Sequence, residues 1–243
     1  DLEAAIDRQT RLVREVHHRV KNNLQVVASL LNIHARGATS EDVATAYAYN
    51  GPGWSIGVEL FLYACFPLLI VAFAKVARSP RALLIIGALI VTVAFLIVWW
   101  FVATGRADLP STDPESAHRW LYRNPAPRLG DFAIGIIVAG LVRIYRPPVA
   151  AAVTAQVVGA VSIVFLMCYT PIHYTAWTFD AAYMIPFAAL IWGLASAPDN
   201  GLARPLSTRS MVIMGEASFA FYLLHHPMIV RMGVDEGSPG YWV

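Results

Sequence analysis

From Val58 onward, apolar runs long enough to cross a bilayer follow one another with only short polar breaks. The clearest is Ala82–Ala103, 22 residues without a charge, where roughly 20 suffice to span a hydrocarbon core about 30 Å thick. Hydrophobic residues make up 57% of the chain and charged residues 14%, against roughly a quarter charged in soluble domains. That average hides a division. Residues 1–50 hold six of the 18 Lys/Arg and six of the 16 Asp/Glu, leaving 12 basic and 10 acidic groups for the other 193 residues. So few ionisable groups cannot cover a water-facing surface, so residues 51–243 belong in lipid. The expected fold is all-α: a polytopic transmembrane helix bundle of about six spans, preceded by an N-terminal amphipathic helical hairpin.

The six expected spans are Val58–Ala74, Ala82–Ala103, Leu129–Val142, Val149–Tyr169, Ala181–Ser196 and Met211–Val230. The third and fifth are short, which flanking residues or tilting within a bundle can offset. Trp99, Trp100, Trp120, Tyr122, Tyr145 and Trp177 fall near span ends, where an aromatic belt places them. Loop charges orient the bundle. Lys75, Arg78 and Arg81, then Arg143 and Arg146, then Arg204 and Arg209 mark the first, third and fifth loops. The fourth loop, Thr170–Asp180, has no Lys or Arg, and the second dilutes its four Arg over a long acidic stretch. The odd loops are therefore expected in the cytoplasm and Gly51–Trp54 outside.

A net charge of +2 gives no reason to expect a nucleic-acid partner. Cys65 and Cys168 lie inside apolar runs and read as small hydrophobes. No metal and no bound cofactor are expected. The chain opens at Asp1 without a Met or a signal peptide, which reads as an incomplete gene product.

In the polar first fifty residues, Ile6, Val13, Val16, Val20, Leu24, Val27 and Leu31 recur at mostly three- and four-residue steps. This spacing predicts an amphipathic helix over roughly Leu2–Ala35 with one apolar stripe. Gly37 stops it, and Thr39 with Asp42 caps a second helix. Such a hairpin buries its stripe by forming a homodimer. His18 sits almost opposite the stripe, sharing the outer face with Asn22 and flanked by Arg19 and Lys21. A neutral imidazole there is either a nucleophile toward a phosphoryl group or a surface histidine of a coiled coil.

Several polar groups fall where lipid penalises them. Glu59 opens the first span, Asp131 lies near the start of the third, and Glu216, His225 and His226 lie within the sixth. Glu59 and Asp131 suit interfacial placement. For Glu216 and the two histidines, interfacial placement and function are both open.

Two resemblances bear on these residues. REVHHRVKNNLQVVASLLNIHA, Arg14 to Ala35, closely resembles the dimerisation and phosphoacceptor helix of the second histidine-kinase subgroup of bacteria. That resemblance makes His18 the phosphoacceptor, with Lys21 and Asn22 beside it. The rest of that family's second helix and its ATP-binding domain have no counterpart in the chain. Further on, GPGWSIGVELFLYACFPLL resembles the W-S-L-x-x-E signature of the membrane acyltransferase-3 family. RNPAPRLGDFAIGIIVAGL is similar to its N-P-x-x-R-x-x-E-F-x-x-G segment, with Asp131 for Glu. EASFAFYLLHHPMIV resembles its S-x-x-L-Y-L-x-H-x-P element at Ser218, Tyr222, His225 and Pro227.

The second resemblance implies an integral O-acyltransferase of the cell membrane (inner or plasma membrane), multi-pass. It would move an acyl group from acyl-CoA, the donor substrate, to a hydroxyl of a sugar or cell-surface polysaccharide. Glu59 would orient or charge-compensate the reacting centre and His225 would support proton transfer. Trp54 and Ser55 would position the sugar, and Arg128 would bind substrate while pairing with Asp131 at i,i+3. The implied organisation is a phosphoacceptor fragment over 1–49 and a partial acyltransferase domain over 50–243. The family's first membrane helix, with its catalytic histidine, has no counterpart, so turnover alone is expected near background unless a partner chain supplies it. The alternatives are a membrane-tethered histidine-kinase fragment acting through His18, and a non-functional fusion or misassembled gene. The charge rule puts His18 outside, away from ATP, which counts against the kinase.

Overall fold

The computed structural model describes residues 54–74, 79–172, 175–179 and 181–231. The expected hairpin, with His18, Lys21 and Asn22, lies outside the described residues, as do the side chains of Trp54 and His225. Among the described residues all regular structure is helical, without a strand.

Five longer helices form the body: α1 (Trp54–Ala74), α2 (Pro80–Ala103), α3 (Pro125–Ile144), α4 (Val149–Cys168) and, after the short α5 (Ala176–Phe179), α6 (Ala181–Ser196). The short α7 (Ala203–Leu206) leads into α8 (Arg209–Arg231). Helices occupy all six expected spans. Three of them, α2, α3 and α4, are long and apolar enough to cross a membrane, and α1 and α6 contain shorter apolar stretches. The chain is an all-α membrane bundle.

The ends follow local chemistry. Ser79 caps α2, its hydroxyl accepting from the Ala82 amide at 3.4 Å, and Pro80 sits where no amide donor is needed. The Thr104 hydroxyl donates to the Trp100 carbonyl at 2.8 Å, and Gly105 leaves the helix at φ 71°, a backbone favouring glycine. Asn124 caps α3 through the Ala126 amide at 2.9 Å, with Pro125 next. The expected start at Leu129 is therefore too late. The cap lies before the apolar run, and Arg128 falls inside the helix.

Leu83, Val98, Ile134, Ile137, Val138 and Met184 join α2, α3 and α6 in one buried cluster. The adjoining face of α6 packs against α4 at van der Waals range through glycines. A Cβ at Gly193 would stand 2.6 Å from the Ala152 carbonyl oxygen, and one at Gly159 would stand 2.8 Å from the Leu190 nitrogen. Gln156 is fully buried in this seam. Its amide donates to the carbonyls of Gly193 at 3.0 Å and Ala197 at 3.4 Å, and its oxygen accepts from the Leu202 amide at 2.7 Å. A buried amide satisfied on both sides is tolerated in an apolar interior.

The α2–α3 connection is ordered rather than a bare linker. Arg106 pairs with Glu115 at 3.0 Å and lies 4.7 Å over the Trp100 ring. The Asp113 carboxylate accepts from the Glu115 amide at 2.8 Å, and the Trp120 indole donates to the Pro114 carbonyl at 2.9 Å. Ser116, Ala117 and Leu121 are buried, and the segment closes with a wide π-turn, His118–Arg123. Ala117 and Leu121 join the same cluster as Ala176, so the α2–α3 and α4–α6 connections gather at one end of the helices.

Candidate active site

The early start of α3 puts Arg128 and Asp131 three residues apart on one face. The expected pair forms: an Arg128 guanidinium nitrogen donates to Asp131 Oδ2 at 2.9 Å. The other terminal nitrogen donates to the Phe179 carbonyl at the end of α5. The guanidinium also lies 5.8 Å from the Tyr122 ring centroid, within cation–π range. Arg128 is thus fixed by its own helix, by the π-turn and by α5. Its side chain is only 21% exposed, so the pair is less screened than a surface ion pair.

These residues form the mouth of a cleft of about 460 Å³ between α3 and α6. Tyr122, Arg128, Asp131 and Phe179 stand at the mouth, and Ile134, Val138, Met184, Phe187 and Ile191 line the apolar remainder. A concave, mostly apolar site with a few convergent polar groups suits a small-molecule substrate.

Behind the mouth lies His118, 7% exposed, with its Nδ1 buried and unpartnered. Its ring meets Phe179 edge-on at 5.5 Å and tilts against Tyr122 at 5.2 Å, while Tyr122 and Phe179 lie 5.8 Å apart. Burial, and secondarily the Arg123 charge, lowers its pKa below the ordinary 6.5. The unfolded chain therefore binds the proton more tightly than the fold does, and stability rises with pH across the interval below 6.5. Acidification from pH 7.5 to 5 is expected to lower the melting temperature, and His118→Phe should reduce that drop. Equal acid sensitivity in wild type and variant, read by thermal unfolding in detergent, would refute the assignment.

Ser55 and Glu59 lie on the first turns of α1, both half-buried. This helix meets α3 through an edge-to-face contact of Phe66 with Phe132 at 5.8 Å. Trp54 is the first residue of α1, and His225 lies in the second half of α8. Glu216 is exposed on α8. The structure thus joins Arg128 and Asp131 in one cleft and adds three residues that the motifs did not single out: His118, Tyr122 and Phe179. A signal for His118 and Tyr122 existed in the length of the second loop, since connections beyond about 12–15 residues are uncommon unless functional or disordered; Phe179 lies in the shorter fourth loop. Among the described residues no cluster of His, Cys, Asp or Glu suits a metal ion.

The family model for the acyltransferase domain, acyltransferase-3, matches residues 24–236. The chain belongs to the acyltransferase-3 family. This match begins within the segment that resembles a histidine kinase. Among curated relatives, Acyltransferase MdmB of Streptomyces mycarofaciens is 30% identical over 203 residues, covering 79% of this chain and 49% of that protein. O-acetyltransferase OatA of Staphylococcus aureus is 25% identical over 191 residues, covering 73% of this chain and 29% of that protein. The chain therefore spans about half the length of the first and less than a third of the second. Sensor histidine kinase PdtaS of Mycolicibacterium smegmatis is 56% identical over 34 residues, 14% of this chain and 7% of that protein. No solved structure matches.

Proposed function

We propose that the chain acts in membrane O-acyl transfer, from acyl-CoA to a hydroxyl of a sugar or cell-surface polysaccharide, as a multi-pass protein of the cell membrane. The observation that carries this reading is the family match over residues 24–236, which includes the Arg128–Asp131 segment at the cleft mouth. The relative named as an O-acetyltransferase supports the choice of oxygen as the acceptor atom.

In the reaction the acceptor oxygen bonds to the acyl carbonyl carbon, the carbon–sulfur bond breaks, and the hydroxyl proton ends on the departing thiol. That requires a proton acceptor near the hydroxyl and positive charge near the tetrahedral oxyanion. Arg128, held at the mouth, supplies charge, and Tyr122 offers a ring face to a sugar. Glu59 orients or charge-compensates the centre, His225 supports the proton, and Trp54 and Ser55 position the acceptor.

The test is protein reconstituted in liposomes with radiolabelled acyl-CoA and an oligosaccharide. Because the chain alone is expected to turn over near background, the liposomes also carry host membrane proteins able to act as the partner chain; label transferred above the same liposomes without the chain, and lost on Glu59→Gln, is the expected result. Transfer equal to that chain-free control would remove the reading.

The short match to a sensor histidine kinase favours a second reading for residues 1–49, a dimeric phosphoacceptor segment. With a kinase ATPase domain and labelled ATP, the chain should gain an acid-labile phosphate that His18→Gln abolishes. Label that survives His18→Gln would rule this reading out.

A further inference from the structure

We propose a headgroup-selective lipid site at the C-terminal end of α2. A phospholipid of the ethanolamine class seats its phosphate on Arg106 and its primary ammonium on Glu115, with one tail lying along α2. The site goes beyond the acyltransferase reading and is tested by binding alone.

The site is a groove of about 490 Å³ between α2 and the connection that follows it. Val93, Leu96, Ile97 and Trp100 form its floor, at the three- and four-residue spacing that shares one helix face. Trp120 from the π-turn also lines the groove, and Arg106 stands at its head. All five of these apolar side chains are exposed on the bundle. On a helix long and apolar enough to cross a membrane, such a face meets the bilayer. The groove is therefore covered by the membrane's own lipid, and the polar residues at its head decide which lipid stays.

Depth and side both fit. Arg106 lies just past the end of α2 at Ala103, and Trp100 and Trp120 mark the interface beside it. From Val93 to Trp100 α2 rises about 10 Å, the upper third of a hydrocarbon core about 30 Å thick. By the distribution of Lys and Arg this end is non-cytoplasmic, so the lipid belongs to the outer leaflet.

Charge selects the headgroup. Arg106 pairs with Glu115 at 3.0 Å, yet the two side chains remain 32% and 63% exposed. A guanidinium carries five donors and binds phosphate through two at once, so the pair leaves room for a phosphate edge. Glu115 then faces whatever that phosphate carries. Its position is fixed: the Asp113 carboxylate accepts from its amide at 2.8 Å, and the Trp120 indole donates to the adjoining Pro114 carbonyl at 2.9 Å. A primary ammonium donates hydrogen bonds to this carboxylate. A trimethylammonium has none to donate, and the Trp100 ring that could hold it is already covered by Arg106 at 4.7 Å. An anionic lipid is disfavoured as well, because between Gly105 and Ala117 Arg106 stands against Asp108, Asp113 and Glu115.

The chain in detergent is titrated with dioctanoyl phosphatidylethanolamine, phosphatidylcholine or phosphatidylglycerol, and bound lipid is counted by native mass spectrometry. The ethanolamine lipid is expected to bind roughly tenfold tighter than either of the others. Glu115→Gln should bring the ethanolamine and choline lipids to within about twofold of each other. Leu96→Trp, which fills the groove from its lipid-facing floor, should weaken the ethanolamine lipid by roughly tenfold. Val161→Trp, on the exposed face of α4, should leave binding unchanged. Glycerophosphoethanolamine, the same headgroup without tails, should not bind. Equal affinity for the three lipids, or a preference for phosphatidylglycerol, overturns the inference. So does an ethanolamine preference that survives Glu115→Gln, binding untouched by Leu96→Trp, or capture of the headgroup without its tails.

Discussion

Gly193→Val is expected to be the most destabilising single substitution in the bundle. The added Cβ would stand 2.6 Å from the Ala152 carbonyl oxygen and 2.8 Å from the Gln156 nitrogen. Both atoms belong to the α4 backbone, so no side chain can swing aside and the helices must separate. Separation also breaks the bond from the Gln156 amide to the Gly193 carbonyl and strands a polar group in an apolar interface. Overpacking of this kind costs about 3 kcal/mol or more. At 2–4 °C per kcal/mol the melting temperature should fall by roughly 10 °C. Gly135→Ala is the internal contrast: its Cβ enters open space, and helix propensity favours alanine by about 1 kcal/mol. Similar melting temperatures for the two variants would show that the α4–α6 seam is not close-packed.

Arg128→Ala is expected to have the largest effect on transfer. Truncation leaves the Asp131 carboxylate, 33% exposed, without its guanidinium and removes the donor to the Phe179 carbonyl. Partial exposure discounts the stability cost to about 1–2 kcal/mol, below that of a fully buried pair. Transfer should suffer more, by about a hundredfold in kcat/KM, because the charge at the mouth and the position of Tyr122 are lost together. Arg128→Lys restores the charge but not the planar fork that reaches two acceptors at once, so rescue should be partial. Full activity in Arg128→Ala, with melting measured alongside, would exclude the cleft mouth from the reaction.

The helices were legible in the sequence because a bilayer permits so few alternatives: a 22-residue run such as Ala82–Ala103 has one way to satisfy its backbone. Their exact starts were less so. The α3 helix begins at Pro125 because Asn124 caps it, and hydrophobicity counted from Leu129 passes over that polar first turn. The Arg128–Asp131 pair could be anticipated since i,i+3 neighbours on a helix are local. The Phe179 carbonyl could not, being 51 residues away and contributed by backbone, which carries no residue-type signature. His118 was hidden for a related reason. A loop histidine reads as solvated until the π-turn folds it under two rings.

The amide of Gln156 acts as a register pin. If α4 slid along α6 by one residue, its hydrogen bonds to two carbonyls and to the Leu202 amide would be lost together, with no water to replace them. Piston-like motion between these helices is therefore barred, and the two must travel as one rod. Any widening of the cleft that keeps these bonds moves α4 and α6 together relative to α3, and it must also release the Arg128–Phe179 contact at the mouth.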